Sequence, residues 1–246
     1  MRLLSYNIRY GGTGREEPIA QVIRACEPDL VVLQEATNHA VVERVAHLTG
    51  LRAWGARAGH SLGFLARTVP QHHAWRWGRS SRHAFLDLVP ATSTLRVLGV
   101  HLSAMHATWA ERRRLRELGA LLEATAEERR APHVLVGDFN TLAPGEELEL
   151  RRLPPRLRPL VWMSGGRVRW QLVERLAEAG YVDAWRLEHA ERTGFTFPTW
   201  DPHLRLDYVF IPGPERHRVR GCQVIDDGPS ARAASDHFPL LVELSA

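Results

Sequence analysis

Short apolar runs rich in valine, leucine and isoleucine recur along the chain, and glycine, proline or polar residues bound each of them. Runs of this length and composition predict β-strands. Eight are clear, at residues 2–8, 29–35, 61–67, 83–89, 94–102, 133–139, 205–211 and 238–244. Four other segments repeat apolar residues at helical spacing, and these predict helices within 16–26, 38–50, 107–130 and 170–182.

The balance between predicted strands and helices indicates the fold class. A doubly wound α/β fold alternates strands with helices, whereas this chain has about twice as many strands as helices. We therefore predict an α/β protein in which two mixed β-sheets pack face to face, with the helices outside. No repeat of fixed period and no low-complexity linker interrupts the pattern, so residues 1–246 are predicted to form a single domain.

Polar side chains lie at the ends of most of the predicted strands. A lone residue of this kind is ordinarily a helix cap, a turn residue or a half-buried histidine. In a layered α/β fold, however, strand ends converge on one crevice. The repeated pattern therefore predicts one shared functional site, and its candidate residues are Asn7, Glu35, His101, Asp138, Asn140, Asp207, Asp236 and His237.

Composition adds a preference for anionic partners. The formal net charge is +4, the sequence pI is about 9.6, and all 32 basic residues are arginine. A planar guanidinium suits phosphate and carboxylate groups, so the composition favours a partner that carries such groups.

Cysteine usage and the first residues predict the compartment. Cys26 and Cys222 are far apart and outside any metal-ligand spacing, so we expect reduced, buried thiols and no zinc site. The chain begins directly with a predicted strand, without the pattern of a signal peptide, and no run approaches the ~18 apolar residues of a membrane span. These features predict a cytoplasmic protein without a transmembrane segment, and no protein partner is evident.

Residues 145–169 depart from the regular pattern of elements. The segment contains three prolines, Trp162 and six arginines, and Trp170 follows it. An insertion this long is either functional or merely solvated, and both interpretations remain open. Nucleic acid is one candidate partner, because arginine neutralises phosphates and tryptophan stacks on splayed bases. Anionic phospholipid is another, because the same residue types suit a membrane interface. The six arginines are Arg151, Arg152, Arg156, Arg158, Arg167 and Arg169.

The polar strand ends belong to short motifs that occur in a particular order. These motifs are "SYN", "LQE", "HL", "GDFN", "RLDYVF" and "SDHFPL", and they extend from residue 5 to residue 240. In this order they resemble the signature blocks of the endonuclease/exonuclease/phosphatase superfamily, to which pancreatic deoxyribonuclease and abasic-site endonucleases belong. The resemblance implies a four-layer α/β/β/α sandwich. It also implies hydrolysis of phosphate esters with a divalent cation, usually Mg2+, for which Mn2+ can substitute.

The resemblance also implies where metal and substrate bind. The metal positions match Asn7 and Glu35, with Asp236 as a further or water-mediated ligand, and oxygen donors of this kind are those that magnesium prefers. The superfamily often places a second acid two residues after the first asparagine, but this chain has Arg9 there, which disfavours a two-metal site. The substrate-binding candidates are Arg9, Arg205 and Trp200.

The resemblance implies catalytic roles for five residues. Asp138 and Asn140 would orient the nucleophile and bind the phosphate, while Asp207 would hold one ring nitrogen of His237. His237 would contact the phosphate or exchange its proton, and His101 matches the deoxyribonuclease-like branch. Asp236 and His237 are expected to point to opposite faces of the last strand, Asp236 towards the metal.

These observations favour a divalent-metal-dependent phosphoesterase that hydrolyses phosphodiester bonds, most simply a nuclease acting on DNA or RNA. The alternative keeps the chemistry and changes the substrate to a phospholipid head group or another small phosphoester. A catalytically dead binding module is the third hypothesis, and it is disfavoured because no expected polar position carries an apolar residue.

Overall fold

A computed structural model describes residues 1–79 and 81–245. Within these residues the chain forms twelve strands and seven α-helices. The strands are β1 (Arg2–Asn7), β2 (Leu30–Gln34), β3 (Ala53–Gly55), β4 (Gly63–Ala66), β5 (His72–Arg76), β6 (Phe85–Val89), β7 (Arg96–His101), β8 (His133–Asp138), β9 (Tyr181–Asp183), β10 (Asp207–Pro212), β11 (Val219–Val224) and β12 (Leu240–Leu244). The helices are α1 (Glu16–Cys26), α2 (His39–Thr49), α3 (Thr108–Ala124), α4 (Arg158–Met163), α5 (Leu172–Glu178), α6 (Ala184–Glu188) and α7 (Pro229–Ala234).

The strands form two six-stranded mixed sheets. The first has the order β11-β12-β1-β2-β4-β3, and the second has the order β5-β6-β7-β8-β10-β9. Each contains one parallel pair, β1 with β2 and β7 with β8, and its other neighbours are antiparallel.

Three apolar layers hold the sheets and helices together, because successive side chains of a strand point to opposite faces. The inner core contains residues of both sheets, such as Leu3 and Val32 from the first and Val136 and Val209 from the second. Residues of α1, α2 and α7 cover the outer face of the first sheet. Residues of α3 and α5 cover the outer face of the second. The predicted α/β/β/α sandwich is confirmed.

The same alternation directs polar side chains into the gap between the sheets. Leu3 lies in the inner core, so Asn7, four residues later on β1, points the same way. Val136 on β8 aims Asp138 into the gap by the same rule. Asp138 pairs with His101 of β7 on one side and with Asp207 of β10 on the other. The candidate residues therefore lie between the two sheets, next to the apolar side chains of the inner core.

Gly137 explains why a glycine precedes Asp138. Its φ is +143°, and a Cβ atom at this position would lie 2.0 Å from the carbonyl oxygen of Val100 on the neighbouring strand. A side chain would thus separate β7 from β8, and with them His101 from Asp138.

The structure corrects the prediction for Asp236 and His237. Strand β12 begins only at Leu240, so both residues lie in the preceding loop and do not alternate on a strand. This loop is held instead by the segment before β10, because the Phe238 amide donates to the Thr196 carbonyl and the Thr199 amide to the Asp236 carbonyl.

Two further predictions can be compared with the structure. Cys26 and Cys222 are free and buried, as the sequence predicts. No helix among the described residues is long and apolar enough to cross a membrane.

Candidate active site

Asn7 connects the two sheets at the centre of the site. Its Nδ2 atom donates to Asp138 Oδ2 at 3.0 Å and to Glu35 Oε1 at 3.3 Å. Its Oδ1 atom accepts the backbone amide of Arg9 at 2.9 Å. The side chain is 1% exposed, so one buried amide fixes the spacing between two carboxylates that belong to different sheets.

Glu35 follows β2 with a left-handed backbone, at φ +54°. Its Oε2 atom accepts the Tyr10 amide at 2.5 Å, and its own amide donates to Ser61 Oγ at 3.3 Å. Glu35 and Asp138 offer carboxylate oxygen donors of the kind that a magnesium ion requires, while Asn7 turns its Nδ2 atom towards them and its Oδ1 atom towards the Arg9 amide. This donor set fits a divalent cation, and positive charge there would offset the two neighbouring carboxylates.

A second group of possible ligands overlaps the first. Ligand atoms of Asp138, Asp207 and His237, all buried, lie within 4.8 Å of one another. One oxygen of Asp207 already accepts the His237 ring, and the group includes an imidazole nitrogen. The oxygen-rich side around Glu35 therefore suits magnesium better than this group does.

His237 forms a buried dyad with Asp207. Its Nδ1 atom lies 2.8 Å from Asp207 Oδ2, and its Nε2 atom lies 3.9 Å from Asp138 Oδ2. Burial alone would lower the pKa of His237, but the charge and hydrogen bond of Asp207, together with Asp138 and Asp236, raise it well above the ordinary value. This raised pKa favours the protonated ring, whose Nε2 atom faces the gap between the sheets.

His101 has the opposite electrostatic character. Burial lowers its pKa to about 3, with further lowering from the neighbouring rings of His83 and His237. Ser61 Oγ hydrogen-bonds to His101 Nδ1 while also accepting the Glu35 amide. The other ring nitrogen, Nε2, lies 3.8 Å from Asp138 Oδ2. The lowered pKa favours a neutral His101 ring that faces the site through Nε2.

Asp138 lies between the two histidines. Burial raises its pKa above the ordinary value, and the charge of Asp207 adds to this, while His237 and the hydrogen bonds from Asn7 and Asn140 act against it. Asn140 turns at φ +52°, donates its backbone amide to Asp138 Oδ1 at 2.8 Å and donates its Nδ2 to the Leu102 carbonyl at 3.0 Å.

The remaining candidates lie at the rim. Asp236 Oδ2 is 3.2 Å from Arg9 Nε, and its other oxygen accepts Ser235 Oγ at 3.4 Å. Trp200 is 65% exposed, and Phe197 connects it to His237 through ring contacts of 6.3 Å and 4.8 Å. Arg9 and Trp200 thus lie at the rim of the site, where substrate contact stays a prediction, and Asp236 faces Arg9.

Arg205 does not fit its predicted role in substrate binding. Its side chain is 1% exposed and donates to Glu146 at 2.9 Å and to Asp183 at 2.5 Å. Its guanidinium also lies over the Tyr208 ring, at 4.4 Å from the centroid. Arg205 connects the insertion to β9 from a buried position, so its role is structural.

We expect Arg205→Met to lower the free energy of unfolding by roughly 3 kcal/mol, because it leaves Asp183 without its charge partner. This loss of stability is at the lower end of the range for a broken buried ion pair, because Glu146, the other partner of Arg205, keeps its ion pair with Arg186 at 2.9 Å. Urea unfolding measures the loss, and Arg175→Met, in an exposed pair with Glu178, is the matched control. An increase in KM with unchanged stability would instead support substrate contact.

Buried charges on α3 position the loops that follow β7 and β8. Arg114 is fully buried and donates to Glu111 and to the carbonyls of Ser103 and Met105. Glu111 accepts the Thr141 hydroxyl and two amides at the start of α5. Residues that resemble a solvated helical face in the sequence thus anchor the segments next to His101 and Asn140.

The arginine-rich insertion is partly structural. Arg158 donates to the carbonyls of Leu153 and Arg151, and Arg152 pairs with Glu149 and Asp201. Trp170 is half-buried and packs on the Arg114 guanidinium and on apolar side chains, so it is less accessible for stacking than Trp162. Trp162 is 78% exposed. The other four arginines of the insertion are exposed as well.

A model of the Endonuclease/Exonuclease/phosphatase family matches residues 4–237. The chain belongs to this family. Membership makes it a hydrolase that acts on phosphoester bonds. A search of curated proteins finds no significant match.

Solved structures show that other proteins share the fold over their full length. The 3′ phosphatase NExo from Neisseria, bound to a product DNA hairpin, is 18% identical with a TM-score of 0.71. An AP endonuclease from Archaeoglobus fulgidus is 16% identical with a TM-score of 0.73. A conserved protein of unknown function from Enterococcus faecalis V583 is 19% identical with a TM-score of 0.70. Each comparison covers 100% of both chains.

Sequence reasoning missed three residues that contact the site. Ser61 holds His101 and Glu35, Tyr10 donates its amide to Glu35, and His83 stacks in parallel on His101 with centroids 4.8 Å apart. Each is a single polar or aromatic residue outside the family-like motifs. Their roles follow only from the packing of loops against strand ends.

Proposed function

We propose that this family member is a divalent-metal-dependent nuclease that hydrolyses phosphodiester bonds in DNA or RNA. The observation that carries the proposal is the position of Asp138. One of its oxygens accepts the amide that also binds Glu35, and it lies within 4 Å of the Nε2 atoms of both His101 and His237. An oxygen-donor site for a cation and two imidazoles therefore share one buried carboxylate.

The two histidines and Asp138 divide the hydrolytic work between them. Hydrolysis of a phosphodiester requires an oriented water, a proton acceptor for it and positive charge near the phosphoryl oxygens. Asp138 orients the water and accepts its proton, and Asn140 fixes the Asp138 carboxylate. Cationic His237, oriented by Asp207, stabilises the developing charge and exchanges a proton with the leaving oxygen. His101 donates a hydrogen bond from Nε2 to a phosphoryl oxygen.

Glu35 and Asn7 would hold the cation. When bound, a divalent ion neutralises phosphoryl charge as a Lewis acid and polarises the bond to be broken. Glu35 is positioned for this by the Tyr10 amide, and Asn7 by the Arg9 amide. Asp236 is held beside Arg9 and serves as an outer partner.

Three observations favour nucleic acid among phosphoesters. The chain carries 32 basic residues and a pI of about 9.6, and Arg9 lies at the rim between the rings of Tyr10 and Trp200. NExo, which shares the fold, was solved with a product DNA hairpin, and another protein with this fold is an AP endonuclease. Neither NExo nor the AP endonuclease supports the phospholipid alternative.

A substrate panel tests the function. Circular DNA, linear DNA, RNA and phospholipid vesicles are incubated with Mg2+, with Mn2+ and with EDTA. We expect cleavage of nucleic acid with either metal and none in EDTA, because phosphoryl charge then lacks its counter-ion. Glu35→Gln should raise the magnesium concentration needed for half-maximal rate without lowering the melting temperature, since a strand-end ligand contributes little core packing.

The exposed carboxylate of Glu43 on α2 supplies the control, and Glu43→Gln should retain the metal dependence of the unmodified protein. Full activity in EDTA after exhaustive dialysis would contradict the metal assignment. Hydrolysis of phospholipid alone would contradict the substrate class. Metal-independent binding without cleavage of any substrate would support the dead-module hypothesis.

A further inference from the structure

The backbone directly after β1 adopts a conformation that its residues do not favour. Arg9 and Tyr10 have φ values of +51° and +47°, in the left-handed region that side chains with a Cβ atom rarely adopt. Three hydrogen bonds impose it. The Arg9 amide donates to Asn7 Oδ1, the Tyr10 amide to Glu35 Oε2, and the Gly11 amide to the Glu35 carbonyl. Tyr10 is therefore positioned by the same residues that would hold the cation.

Tyr10 gains little from this position in the folded protein alone. Its side chain is 79% exposed, more than any other large apolar residue reported as exposed in the described part of the chain. An exposed ring on an unfavourable backbone contributes little to stability, so such strain points to a function at the site. Its place beside Glu35 points to contact with substrate.

Arg9 joins Tyr10 to a second exposed ring. Its guanidinium carbon lies 5.4 Å from the Tyr10 centroid and 6.0 Å from the Trp200 centroid. Asp236, at 3.2 Å from Arg9 Nε, keeps the guanidinium in place. Phe197 contacts the rings of both Trp200 and His237 and so links Trp200 to the buried part of the site. We call Arg9, Tyr10 and Trp200 the aromatic rim, and it adjoins both the cation side and the histidine side of the site.

We propose that the aromatic rim binds an unpaired nucleobase next to the scissile phosphate. Aromatic faces stack on any base, and the guanidinium between the rings adds a planar cation for the same purpose. A base inside a duplex has both faces covered by its neighbours, so only a single-stranded, frayed or extruded base can use the rim. The proposal rests on the proposed function for the position of the phosphate, and it adds the form of the substrate.

Binding to matched oligonucleotides tests the rim without hydrolysis. Two fluorescent single strands of equal length and phosphate number are compared in EDTA, one with bases and one with base-free tetrahydrofuran residues. We expect the protein to bind the base-containing strand about 5- to 100-fold more tightly, the range for stacked bases. Tyr10→Leu and Trp200→Leu should each reduce this ratio several-fold. Leucine keeps the Cβ atom and the bulk but removes the aromatic face.

Trp109→Leu is the matched control, because Trp109 is 52% exposed on α3 and outside the rim. It should leave the ratio unchanged. Equal binding of both strands by the unmodified protein, or a ratio that neither rim variant alters, would overturn the proposal. So would equally tight binding of a blunt duplex with the same sensitivity to the rim variants, which would show that the base need not be unpaired.

The outcome is separable from that of the proposed function. Cleavage of nucleic acid with magnesium, together with equal binding of base-free and base-containing strands, would support the proposed function and contradict the role of the aromatic rim. Binding of bases through the rim without cleavage of any substrate in the panel would support the role of the rim and contradict the proposed function.

Discussion

Replacing His237 by alanine is expected to lower turnover at least about 100-fold at saturating magnesium and substrate. The variant removes the imidazole that pairs with Asp207 and faces Asp138, and with it the proposed source of positive charge for the phosphoryl group. Single-turnover measurements on a defined oligonucleotide separate this loss from any change in binding.

A double-mutant cycle between Asp207 and His237 tests the same assignment more specifically. Because Asp207 acts by orienting and charging His237, the Asp207→Ala and His237→Ala losses should overlap in a double-mutant cycle. The double variant should be about as slow as His237→Ala alone. Additive losses would mean that Asp207 has an independent role. His47→Ala, at an exposed position on α2, controls for the loss of a histidine as such.

The second large effect is expected for Asp138→Asn. The amide retains an oxygen for the Asn140 backbone but loses the charge that faces both histidines and the acceptor that binds Asn7. We expect turnover to fall at least about 100-fold, the scale for loss of a positioned charge-stabilising group. A rate near that of the unmodified protein would show that the water is oriented elsewhere.

The same substitution should not weaken folding in metal-free buffer. Burial raises the folded-state pKa of Asp138 above its unfolded value near ~4, and this net direction already includes the attraction of His237. A raised carboxyl pKa contributes stability at low pH that is lost as the pH rises. Asparagine does not ionise, so the Asp138→Asn variant does not lose this stability as the pH rises. The urea midpoint of Asp138→Asn in EDTA should therefore equal or exceed that of the unmodified protein at pH 8, with a smaller difference at pH 5.

The sequence predicts the centre of each sheet and misses all four edges. The eight predicted strands correspond to β1, β2, β4, β6, β7, β8, β10 and β12. The four missed strands are β3 and β11, at the edges of the first sheet, and β5 and β9, at the edges of the second. Interior strands bury both faces and have continuous apolar runs, whereas an edge strand needs less burial. Half-exposed β5, with the sequence HHAWR, has almost no apolar signal.

The candidate site shows a similar division. Asn7 and Asp138 could be identified because a polar residue stands out where an apolar run stops, and Asp207 because one stands out where an apolar run begins. Ser61 and Tyr10 could not, since their contribution is a hydroxyl or a backbone amide delivered by a loop. Arg205 illustrates the converse: it comes two residues before Asp207 in the sequence, but it lies among acids that only the folded chain brings to it.

The pairing of β12 with β1 has a consequence during protein synthesis. The first sheet contains β1 to β4 together with β11 and β12, and all strands of the second sheet come between these two parts of the chain. On the ribosome, Asn7, Glu35 and Asp138 therefore emerge well before His237 and the strand that closes the first sheet against β1. A partly translated chain lacks His237 and the strand that follows it, so the proposed active site is incomplete until that part of the chain has been synthesised and folded against β1.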